Sequence, residues 1–424
     1  MQRWRSRRQP SPRRRRNVGE PRKPRILVLN QYYWPGVEAT AHLLAELCAG
    51  LADEFDITVV SGRMNDSAGH ENRMTHRGVS IVRVPSTTYE RSKLSRRGLN
   101  YLTYLASSAG IALSQDKPDV VLCMTDPPVI ADVAYLAARR FGVPLVVISQ
   151  DVFPEAAVEL GRLTNPVIVG FLRRAIRYYL RRADRVVAIG ETMRQKLEAK
   201  GADPARLRVI SNWVDTTAIQ PEPQDNEWSR AQGLAGTFVV MHSGNVGYAQ
   251  NLDAVIRAAT FLRDLDDTRI VIVGAGARHA ELVEMTKRLE ADLVTFLPYQ
   301  PREMLSHSLS AATVHVVGLA EGLAGYVVPS RLYGIMAAGR PVIVAAQASS
   351  ETAQVVEREG CGVVVPPGKP EALAAVVRDM RAGKYDLAEM GRRGRAFVER
   401  EADRAVAIER YRSVMREVIA EAKR

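Results

Sequence analysis

Cysteine is scarce: the chain of 424 residues has three, Cys48, Cys123 and Cys361. They lie far apart, with no C-x-x-C spacing and no neighbouring histidine pair. That excludes a disulfide framework and a zinc site and leaves buried free thiols as the expectation. Long apolar runs are also missing. None reaches the ~18 residues a spanning helix needs, and no signal-peptide core follows the amino terminus, so a cytoplasmic or peripheral protein is expected. Acidic residues are nearly absent from the amino terminus. Residues 1–24 hold ten basic side chains against Glu20 alone, which accounts for +9 of the net +12 and leaves +3 for the other 400 residues. Such an arginine-rich tail cannot bury a core and reads as disordered, either adhering weakly to anionic lipid or nucleic acid or forming an incidental extension. The near balance beyond it argues against nucleic acid as a partner.

What is present is ordinary globular composition, with 46% hydrophobic and 25% charged residues. At about 100–200 residues per domain, the length predicts two domains. From Arg25 onward, short β-rich apolar runs alternate with stretches of helical period. The runs of the first half are 25–30, 56–61, 79–84, 119–124, 144–149 and 185–190, with helical stretches such as 38–52, 96–114, 128–141 and 166–182 between them. Residues 212–236 are irregular and rich in Pro, Asp, Glu and Gln. The alternation then restarts with runs at 237–243, 269–274, 293–298, 313–318, 341–346 and 362–367. Continuous apolar strands separated by helices predict parallel sheets covered on both faces. The expected architecture is α/β, with two Rossmann-like doubly wound domains facing across a cleft. The first is expected over 25–212 and the second over 213–402, behind a basic tail of 1–24. Ligands of such sheets bind at the carboxyl ends of the strands, so the cleft is where chemistry is expected.

Several segments fall at those strand ends. After the first strand, Asn30 to Thr40 contains Pro35-Gly36 and leads into a helix, a loop whose amides can face a phosphate or a sugar. In the second half His242-Ser243-Gly244-Asn245-Val246-Gly247 makes a similar joint, where Gly244 allows close backbone approach to an anion. Gly274 and Gly276 read as tight-turn residues, because His279 stands at the third glycine position of a dinucleotide fingerprint. The strongest local signal is the run from Gly325 to Ile343. Pro329 is predicted to open a helix, Ser330 to cap it, and Arg331 to project from its first turn, poor for stability and suited to a diphosphate. Asp126 and Asp151 follow directly on strand ends, where capping and catalytic roles are equally compatible with the pattern.

Together, the PSRLYGIMAAGRPVI block (329–343), the GNVGYAQNLD loop (244–253) and the QDVFPEAAVELG segment (150–161) resemble the glycosyltransferases of family 4, over roughly residues 25–420. The resemblance is to the WbuB and colanic-acid branch of bacterial surface-polysaccharide enzymes. It implies the GT-B fold and a final helix, about 403–423, that crosses back to the first domain. It also implies a nucleotide-diphosphate sugar donor, UDP-sugar first among candidates, held by the carboxyl-terminal domain. The acceptor, a glycan or a polyprenyl-diphosphate-linked glycan, would sit on the amino-terminal one. Transfer would retain configuration without a metal or other cofactor. The sequence departs from the family pattern at Gly334, which stands where a second glutamate binds the ribose, and at Asn245 and Gln250, which replace phosphate-binding Arg and Lys. Glu321 is the candidate first glutamate, against the donor sugar. A departing diphosphate needs countercharge, and Arg331 is the expected source, helped by amides near Gly244 and Ser330. Tyr299 is expected at the base pocket, and Tyr333, in the same block, completes the donor set. Gly36, Asp126 and Asp151 are expected near the acceptor.

Residues 91–113 and 166–182 join basic residues to apolar, aromatic faces. They read either as core helices with exposed arginines or as segments lying on an anionic membrane. An epimerase or phosphorylase of the same fold is the alternative function. A nicotinamide dehydrogenase is disfavoured by the failed fingerprint.

Overall fold

The computed structural model describes residues 22–424 except 37–38, 64–71 and 88–93. Most of the predicted tail, Val37 and Glu38 of the first loop, and Arg91 and Lys93 of the basic segment therefore lie outside the described residues.

Two sheets account for the apolar runs. The first comprises β1 (Arg25–Leu29), β2 (Asp56–Gly62), β3 (Arg73–His76), β4 (Val79–Val84), β5 (Val120–Met124), β6 (Leu145–Ser149), β7 (Arg185–Ala188) and β8 (Leu207–Val209). Their order is β3-β4-β2-β1-β5-β6-β7-β8, parallel except for β3 against β4. The second comprises β9 (Phe238–Ser243), β10 (Thr268–Val273), β11 (Val294–Leu297), β12 (Val314–Gly318), β13 (Val342–Ala345) and β14 (Gly362–Val365). It is parallel throughout, in the order β11-β10-β9-β12-β13-β14. In each sheet the first strand of the domain lies inside and the chain winds outward in both directions. The point of reversal, β1/β5 in one sheet and β9/β12 in the other, opens a crevice at the carboxyl edge.

Burial follows from the continuous apolar runs. Leu27, Val121 and Val147 point to one face of the first sheet, into a core closed by helices Leu94–Leu113, Ile130–Phe141 and Pro166–Leu180. Ile26, Val28 and Leu122 point to the other, against helix Ala39–Leu51 and the last helix, Arg404–Glu421. That last helix lays Tyr411, Val414 and Met415 into the first domain's core. Each such fully buried side chain contributes about 1.5–3 kcal/mol relative to exposure. The three cysteines are free and buried, Cys48 and Cys123 in these cores and Cys361 in a core of the second domain.

The two halves also touch at the strand ends. Asp151 and Val327 form an antiparallel bridge, and Val152 N donates to Tyr326 O at 2.9 Å. Val328 is buried in the first domain's core. Beside it, the Glu351 carboxylate accepts from Thr192 N at 2.8 Å. The segment running into Pro329 is thus pinned against the first domain immediately before the helix it opens.

Candidate active site

In the second sheet, the ends of β9, β10 and β11 and the helix Arg331–Ala337 converge on Arg331. Gly244 leaves β9 with φ +138°, and a Cβ there would stand 3.8 Å from Arg331 Nε. Gly274 leaves β10 with φ +141°, and its Cβ would stand 1.9 Å from Gly244 O, so the two turns nest only because both lack side chains. Gly276 is as tightly held, its Cβ position 2.3 Å from Val246 O. After β11, the Tyr299 hydroxyl donates to Ala275 O at 3.3 Å, with the ring edge against Gly274.

Arg331 Nη1 lies 3.1 Å from both ring nitrogens of His242, which places the guanidinium over the imidazole. Burial and the adjacent positive charge hold His242 well below the usual histidine range, so the ring is neutral. It has one N–H, for the carbonyl of Asn245 or Val316, and its ring face lies against Arg331. Burial pushes Arg331 itself down to about 10, which leaves it a cation at neutral pH. No described carboxylate lies within ion-pair distance of it. A half-buried guanidinium with a neutral partner and no counterion among the described residues is costly, and an anionic ligand would relieve that cost.

The remaining sequence-based candidates divide. Ser330 lies beside Arg331, but its hydroxyl makes no capping bond; the helix is only seven residues long, so the anion site rests on the guanidinium rather than on a capped dipole. Asn245 is exposed at the same turn. Gln250 is turned inward, its Oε1 accepting from Gly247 N at 3.0 Å, which makes it a brace of the loop. Tyr333 is a correction. Two residues beyond Arg331 on a helix with ~100° per residue, it lies on the opposite side of the helix, its ring buried in the sheet core and its hydroxyl against Ser211. Gly334, by contrast, follows Arg331 by nearly one turn, and a side chain there would meet only Leu309 Cδ1, at 3.7 Å. Glu321 is exposed on the turn after β12, next to Gly322, whose amide donates to Gln347 Oε1 at 3.0 Å.

In the first domain's crevice, Asp126 sits at the end of β5, its Oδ2 accepting from Thr40 Oγ1 at 3.0 Å and its carbonyl from Gln31 N at 2.9 Å. Asp151 follows β6 and is held by the bridge to Val327, four residues before Arg331. Gly36 is a second correction: it is buried, and its amide is spent on Tyr33 O at 2.9 Å, closing a turn instead of facing a ligand. Sequence reasoning missed His242 as the partner of Arg331, because 89 positions separate them. It also missed Thr40, which anchors Asp126. Among the described residues no group of three His, Cys, Asp or Glu side chains is arranged for a metal.

The sequence matches the family described as glycosyl transferase 4-like domain over residues 36–213 and that described as glycosyl transferases group 1 over 224–397. The chain belongs to the glycosyltransferases of family 4. It is 27% identical over 408 residues to a probable glycosyltransferase, WbjE, of Pseudomonas aeruginosa, covering 94% of this chain and 99% of that one. It is also 27% identical, over 70% of this chain and 75% of the relative, to a putative colanic acid biosynthesis glycosyl transferase, WcaI, of Escherichia coli. Among solved structures, HepE of Anabaena in complex with UDP-glucose superimposes with a TM-score of 0.73 at 16% identity, covering 93% of this chain and 99% of that one. The transferase therefore has the GT-B arrangement and belongs with the glycosyltransferases of polysaccharide biosynthesis.

Proposed function

We propose that this transferase moves a sugar from a nucleotide-diphosphate donor to a glycan or polyprenyl-diphosphate-linked acceptor, with retention of configuration. The observation that carries the reading is the half-buried guanidinium of Arg331 over neutral His242, with no counterion among the described residues. As the glycosidic bond breaks, charge develops on the departing diphosphate. A fixed cation in a dry crevice stabilises that charge more than it stabilises the bound donor, and only such a difference accelerates the reaction. Arg331 presents a planar fork suited to two phosphate oxygens, with Gly244, Gly274 and Ser330 around it and Tyr299 at the side. Glu321 faces the donor sugar, and Asp126 and Asp151 approach the acceptor hydroxyl from the first domain. The UDP-glucose in HepE supports a UDP-sugar as donor, and the colanic-acid relative supports a surface polysaccharide as product. In this reading Arg331 takes the task that a divalent metal has in other transferases, so chelators leave turnover unchanged. The proposed compartment is the cytoplasm, on the inner face of the plasma membrane.

The test is a thermal-shift series with UDP-, GDP- and dTDP-sugars on the wild type and on Arg331→Ala. One nucleotide sugar is expected to raise the melting temperature of the wild type, and the variant is expected to lose most of that rise. An equal rise in both proteins would place the donor elsewhere.

A further inference from the structure

The helices Leu94–Leu113, Ile130–Phe141 and Pro166–Leu180 pack side by side over one face of the first sheet. Their outer surface differs from the rest of the molecule. Of twelve large hydrophobic side chains exposed among the described residues, eight lie on these three helices, with Leu102 65%, Leu136 57%, Val167 79% and Phe171 68% accessible. Residues 98–113 contain no charged side chain at all, and the exposed positions there, Leu99, Leu102, Ala106, Gly110 and Leu113, fall on one stripe. Such a face is rarely left to water.

The charges that border it have one sign. Residues 166–182 carry five arginines and no acid. On the middle helix the sole acid is Asp132, partly buried and pushed up to about 6. Of the five arginines only Arg173 has a carboxylate partner among the described residues, Glu155. Elsewhere, several exposed arginines on helices are matched: Arg381 with Asp267, Arg392 and Arg393 with Glu389, Arg416 with Glu54. Farther along the same helices a cavity of about 670 Å³ is lined by Arg139, Arg181, Arg182 and Arg206, with Asp184 and Glu421 at its walls.

We propose that this three-helix face docks on an anionic phospholipid bilayer. Its uncharged stripe and Phe171 would enter the headgroup boundary, and its unpaired arginines would meet lipid phosphates. A second copy of the chain would set arginine against arginine, which argues against a self-interface. The exposed apolar residues of the first and third helices lie mainly in their amino-terminal halves, toward the carboxyl edge of the sheet. Docking would therefore present the crevice of Asp126 to a lipid-borne acceptor. The inference deepens the acceptor reading given above and is tested without any acceptor.

The experiment is sedimentation of the full chain with vesicles of phosphatidylcholine alone or mixed with phosphatidylglycerol. It compares the wild type with Leu102→Gln/Phe171→Gln and with Arg174→Glu/Arg177→Glu. The wild type is expected to bind only the anionic vesicles, and each double variant to lose about tenfold or more in partitioning. Unchanged melting temperatures and nucleotide-sugar shifts would show that the variants are folded. Undiminished binding by both variants would assign adhesion to the basic tail and overturn the proposal. So would a wild type that ignores vesicles and forms a dimer broken by Phe171→Gln. Vesicle binding without transfer to any lipid-linked sugar would uphold the docking face and count against the acceptor reading alone.

Discussion

The two crevices of this transferase share one topology and hold opposite charges. At the β9/β12 reversal the second domain places a cation, Arg331, that no described carboxylate pairs. At the β1/β5 reversal the first domain places a carboxylate, Asp126, fixed by Thr40. One of the first domain's buried arginines, Arg83, is committed internally to Trp34 O and Ser61 Oγ. The winding of the sheet decides where ligands sit, and a few side chains at strand ends decide which kind. One edge suits a diphosphate and the facing edge suits a hydroxyl that must lose a proton.

The largest effect expected from breaking this contrast is at Arg331. Replacement by Ala is expected to lower turnover by ~10²-fold or more, measured with saturating donor and acceptor. Next come Asp126→Asn and Asp151→Asn, expected to slow transfer by about 10–10²-fold while leaving slow hydrolysis of the donor by water unchanged. If hydrolysis fell equally, the division between donor and acceptor crevices would fail.

A smaller effect concerns pH. Burial holds His242 and His315 neutral by lowering their pKa, His315 to about 4. In the unfolded chain both return to about 6.5. Below that pH unfolding therefore takes up protons. Stability is whole above about 6.5 and declines as pH falls toward 4. Melting temperatures in buffers from pH 7.5 to 4 should show this, and His315→Gln should flatten the decline. The smallest expected effect is at Arg302, whose ion pair with Glu46 links the two domains through a 60% exposed side chain. Arg302→Ala should cost less than about 1 kcal/mol in urea unfolding.

Most of the fold was legible in the sequence because interior parallel strands are apolar on both faces. The two strands that escaped are edge or near-edge pieces without that mark: β3, Arg-Met-Thr-His, is polar and half exposed, and β8 has three residues. The site was legible in part. Arg331 follows a proline that opens a helix, and Gly244 and Gly274 follow strands. Tyr333 shared that block, but the helical turn carries it to the opposite side. Gly36 looked like an amide donor, and only the fold shows Tyr33 O occupying it. His242 left no sign, since a histidine inside an apolar run reads as one more strand position.

The unmatched guanidinium has a bearing on how this protein tolerates change. Charge held in a half-buried site without a counterion among the described residues strains the resting enzyme, so Arg331→Met should melt later than the wild type even as it stops working. A selection for heat resistance alone would tend to erase this residue, and a sequence optimised for rigidity would arrive catalytically silent.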